Sequence, residues 1–424
     1  LSSKGNEHSM RLMTRSLFLF FIVMLLNNFV YSQNNIIQEI PDTLAQSDKH
    51  LAGQRDVIDI LARIIKSPGA AKHNETGVAK KGRIHVSLAP GIGYTLSTGF
   101  AAILASNAAF YSSEAPDAKL SNIFADVVYT QNQQLITHIQ GTIWTNNNGY
   151  NIVNDWRYLK YPQETFGLGG KTSLNNSFDQ DYYYIRLHQT VLKNVGKDLY
   201  AGIGYSLDYH WNITETRENA KGASDAQLYG LSTKPVSSRV NFNVLYDNRD
   251  NSINPDRGMY VNVLYRPNFT GLGSDENWQS LRIDVRKYVK FPSNSENVLA
   301  FWNFNWLTLA GNPPYLDLPS TGWDPYNNLG RGYIQGRFRG KNMLYFETEY
   351  RFKVTNNGLI GGVVFGNLQS YTEWPSNKFE TINPAAGLGM RLKFNKHSRT
   401  NVAIDYGFGA GGSQGFFVNL GEVF

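Results

Sequence analysis

The sequence contains no cysteine in its 424 residues. This absence excludes a disulfide framework, a thiolate metal site and a cysteine nucleophile. Charged residues are also scarce: they make up 17% of the chain, whereas soluble globular proteins carry about 25%. The net charge of +6 is diluted over the whole chain with no basic block. The sequence therefore predicts no nucleic-acid partner.

Long hydrophobic runs are missing as well. The apolar run Leu17–Leu26 is too short to span a bilayer as a helix, and the mean hydropathy of the chain is −0.36. A bundle of membrane helices is therefore excluded. A transmembrane barrel is not, because only alternate residues of its strands face lipid. The chain is rich in the residues that suit such strands, with 25 Tyr, 24 Phe and 39 Gly.

The first 32 residues have the order of a secretory signal. Arg11 and Arg15 follow Met10 and precede the apolar run. Val30-Tyr31-Ser32 then provides a possible cleavage site with small residues. Positive charge, apolar run and cleavage site in this order are typical of a signal peptide. We expect residues 1–32 to be a signal peptide with its leader, cleaved on export to the bacterial outer membrane. An uncleaved membrane anchor is the alternative.

Residues 33–82 differ from the rest and are predicted to form a periplasmic linker with one short amphipathic helix, over residues 52–66. Apolar residues recur there at helical spacing, at Val57, Ile60, Leu61, Ile64 and Ile65. Ser67-Pro68-Gly69 ends the pattern. Two roles are open: a helix packed on or in the periplasmic mouth of a barrel, or a peptide that docks a partner.

From residue 83 to 424 the hydrophobic pattern changes to a period of two, which indicates strands. In residues 239–246, for example, Val240, Phe242 and Val244 share one face, while Asn241 and Asn243 lie on the other. Many such segments have about ten residues or more, the length of a tilted strand that crosses a bilayer. We predict an all-β transmembrane barrel of about 16 antiparallel strands.

The predicted strands are 83–95, 97–110, 120–131, 134–145, 150–161, 181–194, 197–213, 237–248, 257–267, 278–290, 297–309, 342–354, 358–367, 384–394, 399–409 and 415–424. Short and long connections alternate over most of this region. In outer-membrane barrels the short turns face the periplasm and the long loops face outside. An even number of strands therefore brings both ends of the barrel to the periplasmic side.

Four stretches of the predicted barrel carry a family resemblance. They are Tyr246-Asp247-Asn248-Arg249-Asp250-Asn251 with Asn254-Pro255 and Arg257-Gly258; Arg331-Gly332-Tyr333; Gly340-Lys341-Asn342 with Glu349-Tyr350-Arg351-Phe352; and Gly387-Leu388-Gly389-Met390-Arg391 with the ending Asn419-Leu420-Gly421-Glu422-Val423-Phe424. In this order they resemble the barrel of the BamA/TamA superfamily (bacterial surface antigen type) of outer-membrane assembly and translocation proteins.

The resemblance implies a role for the sixth extracellular loop, between the eleventh and twelfth predicted strands. Its tip, Arg331-Gly332-Tyr333, is expected to fold into the lumen and dock on the thirteenth strand. Asn367 stands there in place of the family's acidic residue. The contact is therefore expected to be weaker than in the family, unless Glu347 or Glu349 on the twelfth strand supplies the missing charge, and an aspartate at position 367 is expected to tighten it. An exposed, flexible basic loop is the alternative.

The resemblance also has consequences at the two ends of the barrel. Phe424 resembles the C-terminal aromatic residue that the assembly machinery reads on a closing strand. Family members usually carry periplasmic POTRA domains, and the stretch before the predicted barrel is too short for one. We therefore expect a barrel that lacks POTRA domains.

The primary hypothesis is a BamA-like barrel that assists outer-membrane protein assembly or protein translocation. Its expected partners are outer-membrane lipid, other assembly components and client proteins. A passive pore or structural barrel is the alternative. An enzyme is not expected, because four of the eight histidines, His85, His138, His188 and His210, fall on separate predicted strands, without a Ser-His or paired-carboxylate spacing. No cofactor or metal motif is found either.

Overall fold

The computed structural model describes residues 53–57, 59–60, 84–95, 97–113, 118–216, 223–230, 232–396 and 399–424. The expected signal peptide and most of the segment 33–82, including residues 61–66 of the expected helix, lie outside these residues. Within them, no helix is long and apolar enough to cross a membrane.

The described chain is almost entirely β. The strands are β1 His85–Thr95, β2 Gly99–Tyr111, β3 Leu120–Thr130, β4 Leu135–Trp144, β5 Tyr150–Lys160, β6 Gln163–Thr165, β7 Phe178–Gly196, β8 Leu199–Thr216, β9 Val236–Asp247, β10 Gly258–Asn268, β11 Trp278–Lys290, β12 Val298–Ala310, β13 Met343–Lys353, β14 Ile360–Tyr371, β15 Asn383–Asn395, β16 Thr400–Gly409 and β17 Gln414–Leu420. One short helix, α1, spans Asp225–Tyr229, and 3-10 turns cover Asn146–Asn148, Leu174–Asn176, Thr270–Leu272, Tyr315–Asp317 and Ala410–Gly412.

The long strands pair antiparallel in chain order, from β1 with β2 to β16 with β17. The short strand β6 belongs to the loop before β7, so β5 pairs directly with β7. β1 and β17 lie near each other, but no paired register joins them in the described part of the chain. The prediction of an antiparallel barrel of sixteen long strands is confirmed, and the barrel is nearly closed.

The two faces of the strands have opposite chemistry. Large apolar side chains are exposed on one face, among them Val127, Leu187, Ile203, Phe242, Phe346, Val364 and Leu388. The other face is buried and carries charged residues such as Asp284, Arg286, Glu347 and Arg391. An exposed apolar band of this size is unfavourable in water, whereas contact with lipid stabilises it. The exposed face therefore suits a bilayer and the charged face suits the barrel interior.

Several predicted boundaries were wrong. β7 and β8 are longer than 181–194 and 197–213, because their ladder continues through polar pairs such as Asp179 with Thr216, which the hydrophobic period does not mark. β14 extends to Tyr371. β17 ends at Leu420 rather than at Phe424. The reason is Gly421, whose φ of +103° turns the chain away from the sheet.

The described part of the N-terminal segment contacts the end of the barrel that carries the short turns, which we call the turn end. The backbone N–H of Arg55 donates to the carbonyl of Asn357 at 2.9 Å, and the backbone N–H of Lys396 donates to the Asp56 carboxylate at 2.9 Å. Asn357 and Lys396 belong to the turns that follow β13 and β15. Arg55 and Asp56 therefore lie at the turn end.

Candidate functional site

The longest connection, residues 311–342 between β12 and β13, carries the Arg-Gly-Tyr tip. Arg331 is 2% exposed and is held by three carboxylates from two strands. Its Nη1 donates to Asp405 of β16 at 2.7 Å, and its Nη2 donates to Glu349 of β13 at 2.6 Å and also to Glu347. A guanidinium suits this place because its donors are fixed in a planar fork that can reach several acceptors at once.

A second layer of charge orients those carboxylates. Arg391 donates to Asp405 at 2.5 Å and to Glu422 at 2.7 Å, and Arg351 donates to Glu349 at 2.6 Å. The cluster, which we call the Arg331 network, thus joins three guanidinium groups to four carboxylates: Glu347, Glu349, Asp405 and Glu422. The hydroxyl of Tyr345 donates to Glu347. Each buried carboxylate therefore has a donor, as buried charge requires.

These carboxylates also determine the ionisation of the loop residue. Burial of Arg331 favours the neutral form, but Glu347, Glu349 and Asp405 outweigh that effect. Together they hold the pKa of Arg331 well above its ordinary value. The loop tip therefore presents a permanent positive charge to a wall of acidic side chains.

Asn367 touches the loop in a different way from its expected role. β14 is the thirteenth predicted strand, and it contributes the Phe365 ring, which lies 3.8 Å from the Arg331 guanidinium carbon, rather than a charge. The Asn367 side-chain amide donates to the backbone carbonyl of Arg331 at 2.9 Å. The structure thus uses an amide where a donor is needed and leaves the charge to β13 and β16.

This donor role reverses the effect that the sequence suggests for Asn367→Asp. A family-like aspartate was expected to tighten the contact. An aspartate cannot donate, however, and it would place an oxygen against the Arg331 carbonyl beside four existing carboxylates. We expect Asn367→Asp to destabilise the barrel by about 1–3 kcal/mol, the cost of an unpaired buried group. The measurement is the temperature at which the folded gel band is lost. A variant more heat-resistant than the parent would contradict this expectation, and Asn367→Ala separates the lost bond from the added charge.

The backbone of the tip lies against β16. A Cβ atom on Gly407 would stand 2.7 Å from the Gly332 nitrogen, and one on Gly409 would stand 2.6 Å from the Tyr333 ring. Glycine at these two positions therefore makes room for the tip. The Tyr333 hydroxyl then donates to the Pro384 carbonyl at 2.6 Å and accepts from the Ala410 N–H at 2.8 Å.

Apolar packing and other loops support the tip. Leu329, Tyr333 and Phe338 belong to one buried cluster with interior-facing residues of β12 and β13, among them Trp302, Phe304 and Tyr345. The loop between β5 and β7 also takes part, because the N–H of Gly169 donates to the Arg339 carbonyl at 2.7 Å. The loop is thus held along its length and not only at Arg331.

Sequence reasoning missed several members of this site, among them Asp405, Gly407, Gly409, Arg391 and Glu422. Asp405, Gly407 and Gly409 recur every second residue on β16, and that period places them on one face. Glycines at such positions mark a close backbone approach.

His85, His138, His188 and His210 lie on four separate strands, as expected, and two of these strands are neighbours. His188 and His210 come from neighbouring strands, and His188 lies 3.0 Å from Asp208, which also binds Arg239. His138 pairs with Asp126 at 2.9 Å. These are paired structural groups, and the described residues contain no group of three or more His, Cys, Asp or Glu side chains that could hold a metal ion.

Phe424 occupies the interior, not the closing strand. It is 4% exposed, its ring centroid lies 5.1 Å from that of Trp302, and its carbonyl accepts from Arg351 at 2.7 Å. We expect Phe424→Ala to cost about 3–5 kcal/mol of stability and to lower the amount of folded protein in the outer membrane. Membrane fractionation measures this amount. Phe416→Ala is the matched control, because Phe416 is exposed on β17. Equal loss in both variants would contradict the assignment to packing.

Fold and interior together define an outer-membrane β-barrel with a loop anchored by a buried charge network. Residues 168–424, more than half of the chain, match the Omp85 superfamily domain. The chain belongs to the Omp85 superfamily, and it is a protein of the bacterial outer membrane.

Solved structures with a similar fold come from the same superfamily. BamA from Haemophilus ducreyi lacking POTRA domains 1–3 has a TM-score of 0.53 at 13% identity, with 80% of this chain and 70% of that chain covered. CdiB from Acinetobacter baumannii has a TM-score of 0.52 at 11% identity, with coverage of 81% and 60%. CdiB from Escherichia coli has a TM-score of 0.52 at 8% identity, with coverage of 81% and 63%. At these identities the likeness shows the fold alone. No curated protein sequence matches the chain.

Proposed function

We propose that this barrel assists the assembly of outer-membrane proteins or the translocation of protein, with residues 311–342 folded into the lumen. The observation that carries the proposal is the triple carboxylate contact of Arg331. A buried guanidinium with this many partners fixes one loop position, and breaking such a contact is costly. A barrel that only conducts solutes has no need of a loop tip fixed in this way.

A passive pore or structural barrel is the second candidate. The nearly closed seam between β1 and β17 and the lipid-facing apolar band are compatible with both functions. The two functions differ in what the cell loses without the protein: an assembly or translocation factor affects other proteins, whereas a pore affects the passage of solutes.

Depletion of the protein in its native cell tests the proposal. We expect the folded amounts of other outer-membrane or exported proteins to fall, and the parent gene to restore them. Arg331→Ala at equal membrane level is expected not to restore them. Loss of small-solute uptake with unchanged outer-membrane and secreted proteomes would instead establish a pore.

The proposed partners follow from the same role: outer-membrane lipid at the apolar band, and client or assembly proteins at the barrel ends.

No enzymatic activity is proposed. Cleavage after residue 32 remains a prediction, and the mass of the mature N-terminus in purified outer membranes tests it.

A further inference from the structure

A cavity of about 530 Å³ lies at the turn end of the barrel. It is bounded by interior-facing residues at the ends of β11, β13 and β15, by the turns beside them, and by Gln54 of the N-terminal segment. This volume is within the range of about 300–1,000 Å³ that is typical of ligand sites. We call it the turn-end cavity.

The lining of the turn-end cavity is strongly basic. It contains eight cations, Arg257, Lys290, Arg351, Lys353, Arg391, Lys393, Lys396 and Arg399, against four acids, Asp250, Asp256, Glu296 and Glu422. Five of the cations are paired: Arg351 and Arg391 belong to the Arg331 network, and Lys353, Lys396 and Arg399 bind Glu296, Asp59 and Asp250. Arg257, Lys290 and Lys393 form no ion pair within the described ranges. Three cations of the lining therefore have no directly bound carboxylate among the described residues.

Two carboxylates of the N-terminal segment already bind a residue at the edge of the turn-end cavity. Asp56 is 2% exposed and accepts the backbone N–H of Lys396, while Asp59 accepts the Lys396 ammonium group at 3.0 Å. The two aspartates also fix each other's backbone, because the N–H of Asp59 donates to Asp56 at 2.8 Å. A peptide segment that carries two carboxylates thus lies at Lys396, on the rim of the cavity.

We propose that the turn-end cavity binds an acidic peptide segment of a partner or client protein. Carboxylates spaced along a peptide can reach Arg257, Lys290 and Lys393 from the short-turn side, as Asp56 and Asp59 reach Lys396. An anionic lipid is the less suitable ligand, because Lys290 and Lys393 lie on the interior face of β11 and β15 and the lipid headgroup would have to leave the plane of the bilayer to reach them. The cavity shares Arg351, Arg391 and Glu422 with the Arg331 network, but Arg257, Lys290 and Lys393 lie outside that network. Peptide binding can therefore be measured in variants that leave the network intact, and without any assembly activity.

Fluorescence anisotropy on the full-length protein in detergent tests this proposal. The probe is a fluorescein-labelled, aspartate-rich peptide, and the asparagine version of the same peptide is its control. We expect the aspartate peptide to bind, the asparagine peptide not to bind, and added salt to weaken binding. Lys290→Gln combined with Lys393→Gln should weaken binding on the order of tenfold, because two uncompensated cations are removed.

The matched control is Lys193→Gln combined with Lys287→Gln. It removes the same charge near the turn end, from exposed side chains on the outer face of β7 and β11. We expect this control to bind like the parent. Equal loss of binding in both double variants would overturn the proposal, since net charge alone would then explain it. Competition by glycerol phosphate as strong as that by unlabelled aspartate peptide would also overturn it, in favour of a phosphate site.

Discussion

Arg331→Ala is expected to produce the largest loss of stability of any single side-chain truncation in the loop. The substitution leaves Glu347, Glu349 and Asp405 buried with one guanidinium fewer. Removing one partner of a buried ion pair costs about 3–5 kcal/mol, because the remaining charge is neither solvated nor paired. At about 2–4 °C per kcal/mol, the temperature at which the folded gel band is lost should fall by on the order of 10 °C.

Two further variants isolate the charge effect. Arg282→Ala removes a guanidinium from the interior face of β11 that has no ion pair in the described part of the chain, so it should shift the transition much less. Arg331→Ala combined with Glu347→Gln removes one orphaned charge and should recover part of the loss, a coupling that a double-mutant cycle measures. An Arg331→Ala barrel as heat-resistant as the parent would refute the anchoring role of Arg331.

The strands could be predicted because one physical rule governs them all. Lipid outside and charge inside impose a period of two on every strand, as in β9 and β13, and that period is visible in the sequence. The period of two no longer marks the strands where they extend beyond the lipid-facing band. Polar ladder pairs lengthen β7 and β8 beyond the apolar pattern, and Gly421 ends β17 early because the chain there turns to the interior.

The site was harder to predict, because its members are brought together by closure of the barrel. Arg331 stands out by its glycine-flanked motif, and Glu347 and Glu349 by sharing a face beside Arg351. Asp405 follows Arg331 by 74 positions in the chain, and no local pattern links the two. The direction of the Asn367 amide was likewise invisible, because the same side chain offers a donor and an acceptor.

The ordering cost of the loop explains why the site extends beyond one arginine. Fixing a backbone costs about 1–2 kcal/mol per residue, while a hydrogen bond to a charged group contributes about 1.5–3 kcal/mol. The Arg331 bonds alone therefore cannot order residues 311–342. Burial of Leu329, Tyr333 and Phe338 and the backbone contacts with the loop before β7 must supply the rest. Arg331 therefore fixes the position of the loop tip, while packing along the rest of the loop holds it in place.

A test of the proposed lumen position should therefore displace the tip without removing any of its charges. Gly407→Val does so, because a Cβ atom at residue 407 would stand 2.7 Å from the nitrogen and 2.8 Å from the Cα of Gly332. Backbone atoms on both sides cannot yield as a flexible side chain can, so overpacking must push the tip away from β16. The matched control is Gly366→Val on the outer face of β14, where the nearest atom to an added Cβ is 3.8 Å away.

We expect Gly407→Val to change the barrel from one that conducts poorly or erratically in planar bilayers to one with stable openings. The control should conduct like the parent. Trypsin should also cleave after Arg331 or Arg337 in the reconstituted Gly407→Val barrel and spare the parent, because both side chains are buried while the loop is packed. If the parent already shows stable openings and its loop is cut, the loop does not fill the lumen and the passive pore becomes the better account. If Gly407→Val conducts and resists trypsin like the parent, β16 has moved instead of the tip, and the close approach of Gly332 is not what positions the loop.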